Sequence, residues 1–155
     1  MVWVILPVKG FDKSKQRLAR VLDAGQRQSL SQAMLNDVLR AVSGSEHVDH
    51  ILVVTGNADI ARLAYAYNAQ VLMEPDDCRG LNHAVELGVH HAHFHGGRRA
   101  LILHGDIPLA TSIDLSYIIS NHIEGSATLV PDKLEQGTNG LMLDLPCKIT
   151  FQYGE

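Results

Sequence analysis

The sequence predicts an α/β fold, a mostly parallel sheet covered by helices on both faces. Three observations predict it. Short apolar runs rich in β-branched residues alternate with longer amphipathic stretches along the whole chain. The short runs are apolar at nearly every position rather than every second one, as in strands buried on both faces. Gly, Pro, Asn and Asp sit between the two kinds of segment, where turns and helix caps are needed.

The elements follow in order. Val2–Leu6 is the first strand, closed by Pro7. A basic loop leads to Asp23, an N-cap, and Leu30, Met34, Val38 and Val42 recur at four-residue intervals in a long helix ending near Gly44. His50–Thr55 is a buried strand. Asn57 or Asp59 caps a short helix through about Tyr67, and Gln70–Met73 is a short strand. A helix from Leu81 to about His93 stops at Gly96 and Gly97. Ala100–Leu103 is a strand, Ile113–Ile123 a helix closed by Gly125, and Ala127–Val130 and Gly140–Leu143 are the last two strands. No repeat, linker or low-complexity tract interrupts this order, so residues 1–155 are expected to form a single domain.

Composition narrows the function. With 155 residues, 46% hydrophobic and 19% charged, the chain is long enough to bury a core without disulfides or zinc. Cys78 and Cys147 stand 69 positions apart with no CxxC spacing, which suits a reducing compartment, the cytoplasm. Apolar runs fall short of a membrane span, and the N-terminus lacks the charged start of a signal peptide. A net charge of -4 and 5% aromatics do not suit a nucleic-acid platform. The sequence does not fix the oligomeric state; an exposed sheet edge could pair with a second copy, so a homodimer is one option.

In open α/β sheets ligands bind beyond the carboxyl ends of the strands, so the loops there carry the chemistry. PVKGFDKSKQRL, after the first strand, has neither the GxGxxG nor the GxxxxGK[ST] glycine pattern. It carries Lys9, Lys15 and Arg17 instead, cations that could converge on a polyphosphate or simply be solvated. LILHGDIPL puts Asp106 just past a buried strand, where a carboxylate can hold Mg²⁺ or cap the next turn. In GLNHAV, Gly80 permits close backbone approach and Asn82 offers a donor and acceptors for a base edge. His90, His91, His93 and His95 crowd a predicted helix end. They are read as a solvated terminus, with metal binding the minor alternative.

Taken in order, PVK with SKxRL, QAMLNDVL, GLNxAxxxG, GDIPL, VPDxxxxGTN and FQYGE resemble the CofC/FbiD family, which spans nearly the whole chain. These are the guanylyltransferases of coenzyme F-420 biosynthesis. The resemblance implies a three-layer, Rossmann-like nucleotidyltransferase fold of the GT-A-like, MobA-like type. It also implies transfer of GMP from GTP to a small phosphorylated carboxylic acid, with release of pyrophosphate and Mg²⁺ as cofactor. That acid would be 2-phospho-L-lactate, phosphoenolpyruvate or 3-phospho-D-glycerate. Lys9, Lys15 and Arg17 match the phosphate-binding loop. Gly80 and Asn82 match the guanine segment, Asp106 the metal-binding acid, and Thr138 and Gly154 the acceptor site, to which Asn139 is added as Thr138's neighbour in the same turn. Asp106 and Lys15 are the residues expected in catalysis.

Three features depart from the family pattern. Residue 155 falls where the family continues with a serine for the acceptor and a second aspartate for the metal, so the domain is expected to lack its C-terminal part. His104 stands where a non-titratable residue is commoner, and the tip Gly10-Phe11-Asp12-Lys13 replaces the commoner Pro-Leu. A nucleotide-binding remnant without turnover, or another nucleotidyltransferase of the same fold, are the alternative readings.

Overall fold

A computed structural model describes residues 1–11, 15–75 and 80–153. Six strands form one sheet, β1 (Val2–Pro7), β2 (His50–Thr55), β3 (Gln70–Met73), β4 (Arg99–Leu103), β5 (Ala127–Pro131) and β6 (Thr138–Asp144). Their order across the sheet is β3-β2-β1-β4-β6-β5. The first four are parallel, while β6 runs antiparallel to both β4 and β5. Four helices connect them, α1 (Ala24–Ser43), α2 (Ala58–Tyr65), α3 (Gly80–Phe94) and α4 (Ser112–Asn121).

Alternation along β1 divides the core. Val2, Val4 and Leu6 pack under α1, α2 and α4, and Trp3 and Ile5 pack under α3 and Phe151. All six residues of β1 are buried, which is why its sequence is apolar throughout. The apolar-throughout rule fails at the two edges. β3 and β5 are half exposed, and β5 alternates as an edge strand does when it covers the core with one face.

The expected seam of α1 is corrected in detail. The buried residues are Ser31, Leu35, Val38, Leu39 and Val42, while Leu30 and Met34 lie at its margin. A strict four-residue step drifts about 40° per step around a helix of 3.6 residues per turn, so the real seam mixes steps of three and four. Burying each of Leu35, Val38, Leu39 and Val42 stabilises the fold by about 1.5–3 kcal/mol.

Capping decides where the helices begin. Asp23 accepts from the Gln26 N–H at 2.8 Å while the Gln26 side chain accepts from the Asp23 N–H, a closed capping box. Asn57, rather than Asp59, caps α2 through Asp59 N–H and Ile60 N–H. Thr111 and Asp114 form a second box that starts α4 at Ser112, and α4 ends at Asn121 rather than Ile123. Gly88 lets α3 lie close to the sheet, since a Cβ there would stand 2.5 Å from Ile5 Cγ2. Among the described residues, no helix is long and apolar enough to cross a membrane.

Candidate active site

The sheet order places β1 beside β4, and the chain leaves β1 towards β2 on one side and β4 towards β6 and β5 on the other, so a crevice opens beyond their carboxyl ends. A cavity of about 340 Å³ occupies it. It is lined by the turn after β1 (Pro7 to Phe11), Lys15, Ser31 and Leu35 of α1, and His104 to Asp106 after β4. Lys15 and Asp106, 91 positions apart in sequence, meet here as an ion pair of 2.7 Å between Nζ and Oδ2. The Lys15 side chain is 26% exposed and that of Asp106 is 55% exposed, so the pair stands at the mouth where a solute can reach it.

The local backbone explains the aim of these groups. Lys15 has φ 53°, the left-handed region, and turns the chain into a short 3-10 segment at Gln16–Leu18. Arg17 lies in that turn, exposed and absent from this lining, and with Lys15, Gln16 and Leu18 it borders a second hollow. The three expected cations therefore divide. Lys9 and Lys15 share the cavity, while Lys15 and Arg17 share the second hollow. Gly105 keeps the floor flat, because a Cβ there would meet Leu35 and Val8 at 3.2 and 3.3 Å.

Gly80 opens α3 with φ +89°, a conformation that L side chains rarely adopt. Asn82 is not a wholly free base reader. Its Oδ1 accepts the Tyr153 backbone N–H at 2.6 Å. Thr138 begins β6 opposite Pro131, and the Asn139 carbonyl accepts the His104 N–H at 3.4 Å. Asn139 also borders a larger, apolar hollow of about 650 Å³ beside α4 and β5, a lining unsuited to phosphate. Gly154 lies outside the described residues.

Two residues near the site drew little weight from sequence. His104 lines the cavity and meets the Tyr153 ring edge-on at 5.7 Å between centroids. Tyr153 stacks in turn on buried Phe151, and burial pushes its hydroxyl up to about 12. The only signal for them was position, one just before GDIPL and one inside FQYGE.

The histidine run is corrected in part. His90, His93 and His95 are exposed as expected, but His91 and His95 pack against the ring of buried Trp3 at 5.8 and 6.2 Å. His50 stacks on the same ring at 4.4 Å. Among the described residues, no group of three or more His, Cys, Asp or Glu gathers as a metal site.

The fold is the α/β fold of solved nucleotidyltransferases. A nucleotidyl transferase of Methanothermobacter thermautotrophicus superposes over 84% of this chain and 62% of its own, with a TM-score of 0.64 at 18% identity. A cytidylyltransferase of Leptospira borgpetersenii covers 92% of this chain and 60% of its own, with a TM-score of 0.63 at 12% identity. The family model described as "Guanylyl transferase CofC like" matches residues 2–155, and the chain belongs to that family. A phosphoenolpyruvate guanylyltransferase of Conexibacter woesei is 40% identical over 98% of this chain and 69% of its own length. One of Chloroflexus aggregans is 32% identical over 99% and 77%. A 2-phospho-L-lactate guanylyltransferase of Methanothermobacter thermautotrophicus is 31% identical over 97% and 65%.

Proposed function

We propose that this chain is a guanylyltransferase that moves GMP from GTP to a small phosphorylated carboxylic acid, as in coenzyme F-420 biosynthesis. Phosphoenolpyruvate is the first acceptor to test, because relatives at 40% and 32% identity carry that name. The observation that carries the reading is the meeting of Lys15 and Asp106 in a cavity also lined by Lys9, beyond β1 and β4. A phosphate oxygen of the acid attacks the α-phosphorus of GTP. The bond from that phosphorus to the bridging oxygen breaks, and pyrophosphate leaves with the electron pair. Because the nucleophile is already an anion, the protein's task is positioning and charge neutralisation.

Lys15 and Lys9 would neutralise the polyphosphate, with Lys15 exchanging its carboxylate partner for phosphate oxygens. Asp106 fits a Mg²⁺ ligand, being an exposed, oxygen-only donor at the cavity mouth. One carboxylate is enough where substrate phosphates and waters complete the shell, the usual arrangement for this ion. When bound, Mg²⁺ supplies positive charge to the phosphates during transfer. The Gly80 backbone at the start of α3 would meet the nucleotide, and Thr138 and Asn139 the acceptor.

The test is pyrophosphate release from GTP and Mg²⁺ with phosphoenolpyruvate, 2-phospho-L-lactate or 3-phospho-D-glycerate, with ATP and CTP as controls. Release with GTP and one of these acids supports the reading. GTP binding without release with any acid refutes turnover and leaves a nucleotide-binding protein.

A further inference from the structure

We infer that Asn82 is a positioning residue, whose side-chain carbonyl fastens the Phe151–Tyr153 segment to the first turn of α3 and holds Tyr153 against His104. This rests on the activity proposed above and names how its nucleotide and acceptor halves are joined.

The bond from Tyr153 N–H to Asn82 Oδ1, 2.6 Å long and partly buried, links residues 71 positions apart. Tyr153 lies outside any strand, so its N–H has no sheet partner to satisfy it. Phe151 anchors the segment below, 6% exposed in the core under α3. Above it, the Tyr153 ring meets the His104 ring at 89°. His104 lies two residues before Asp106, and its N–H is held by the Asn139 carbonyl. Asn82, Tyr153, His104 and Asn139 thus form a continuous chain of contacts. It runs from the α3 start, the nucleotide side, to the β6 start, the acceptor side.

The Tyr153 pose is not explained by its hydroxyl, which is buried and without a hydrogen-bond partner among the described residues. An unpaired buried hydroxyl opposes the pose, so the polar anchor is the Asn82 bond. The same bond takes one of the two lone pairs of Asn82 Oδ1 and fixes the amide's direction towards Tyr153. A residue working through Tyr153 should affect the acceptor more than the nucleotide.

Two variants test this in the full chain. Asn82→Leu removes the acceptor oxygen, and Asn82→Asp keeps an oxygen while losing the amide donor. One net hydrogen bond corresponds to about a fivefold change in an equilibrium. Asn82→Leu is therefore expected to speed exchange of the Tyr153 amide hydrogen and raise the KM for phosphoenolpyruvate, each by about fivefold or more. The Kd for GTP measured without acceptor should stay within about twofold. Asn82→Asp should restore protection of the Tyr153 amide. A weakened GTP Kd in Asn82→Leu, with Tyr153 exchange and acceptor KM unchanged, would overturn the inference in favour of base reading. So would failure of Asn82→Asp to restore protection. If the wild-type chain releases no pyrophosphate, the proposed activity falls, and the exchange comparison alone still supports or overturns the fastening.

Discussion

Replacing Lys15 with Met separates what the Lys15–Asp106 pair does for folding from what it does for a ligand. Met keeps the aliphatic stem and removes the charge. The pair has one partner more than half exposed, so water screens it and it contributes less than about 1 kcal/mol to stability. For a domain of this size that is a fall in Tm of at most about 2–4 °C. The effect on GTP should be far larger. Phosphate contacts are charge-assisted, and losing one costs about 1.5–3 kcal/mol, a 10- to 150-fold weaker Kd. Guanosine has no phosphate and should bind the variant as it binds wild type. Isothermal titration with GTP and Mg²⁺, with guanosine, and a thermal melt of each protein give the three numbers. Equal losses for GTP and guanosine would refute the phosphate role. A fall in Tm well beyond 4 °C would refute the claim that the pair is structurally cheap.

Other perturbations follow from the same structure. Asp106→Asn should melt within about 2–4 °C of wild type, because the residue sits in an exposed loop, yet lose the Mg²⁺-dependent part of GTP stabilisation. A variant stabilised by GTP equally with Mg²⁺ and with a chelator, while wild type is not, would confirm the metal role; unchanged metal dependence would remove it. Gly88→Ala adds a Cβ 2.5 Å from Ile5, a fully buried residue. Overpacking of about 1–3 kcal/mol outweighs the helix-propensity gain of about 1 kcal/mol, so urea melts should show a net loss, and a larger one for Gly88→Leu. A more stable Gly88→Ala would contradict the close packing of α3.

Burial, and then the neighbouring His95 and His90, hold His91 below its ordinary value of 6.5. The unfolded chain therefore binds more protons than the folded one just below pH 6.5, and stability falls as pH drops through that window. His91→Phe keeps the packing on Trp3 and should flatten the decline in Tm between about pH 7 and pH 5.5, with His50 and His95 left in place. Parallel declines in both proteins would assign the effect to other groups.

Much of the fold was legible because its signals are local. Apolar runs named all six strands within a residue or so at most ends, and caps such as Asp23 marked where α1 begins. Periodicity identified α1 as amphipathic but misplaced its seam, since spacing alone does not say which neighbours close over it. The α4 box at Thr111 and Asp114 was readable in principle as an i, i+3 pair.

What the sequence by itself determined was the element list, the cap of α1 at Asp23 and the family to which the motifs belong. Those depend on neighbours within a turn or a strand, where geometry has a fixed period. Tertiary structure decided the rest, because it depends on which distant segments bury each other. Only the placement of β4 beside β1 brings Asp106 to Lys15, and only the local turn at Lys15 leaves Arg17 outside the lining that Lys9 and Lys15 share. The antiparallel insertion of β6 carries Asn139 to the His104 backbone. Asn82 reads from sequence as a base reader on a helix start, and only the tertiary structure shows its Oδ1 accepting from Tyr153, 71 positions away.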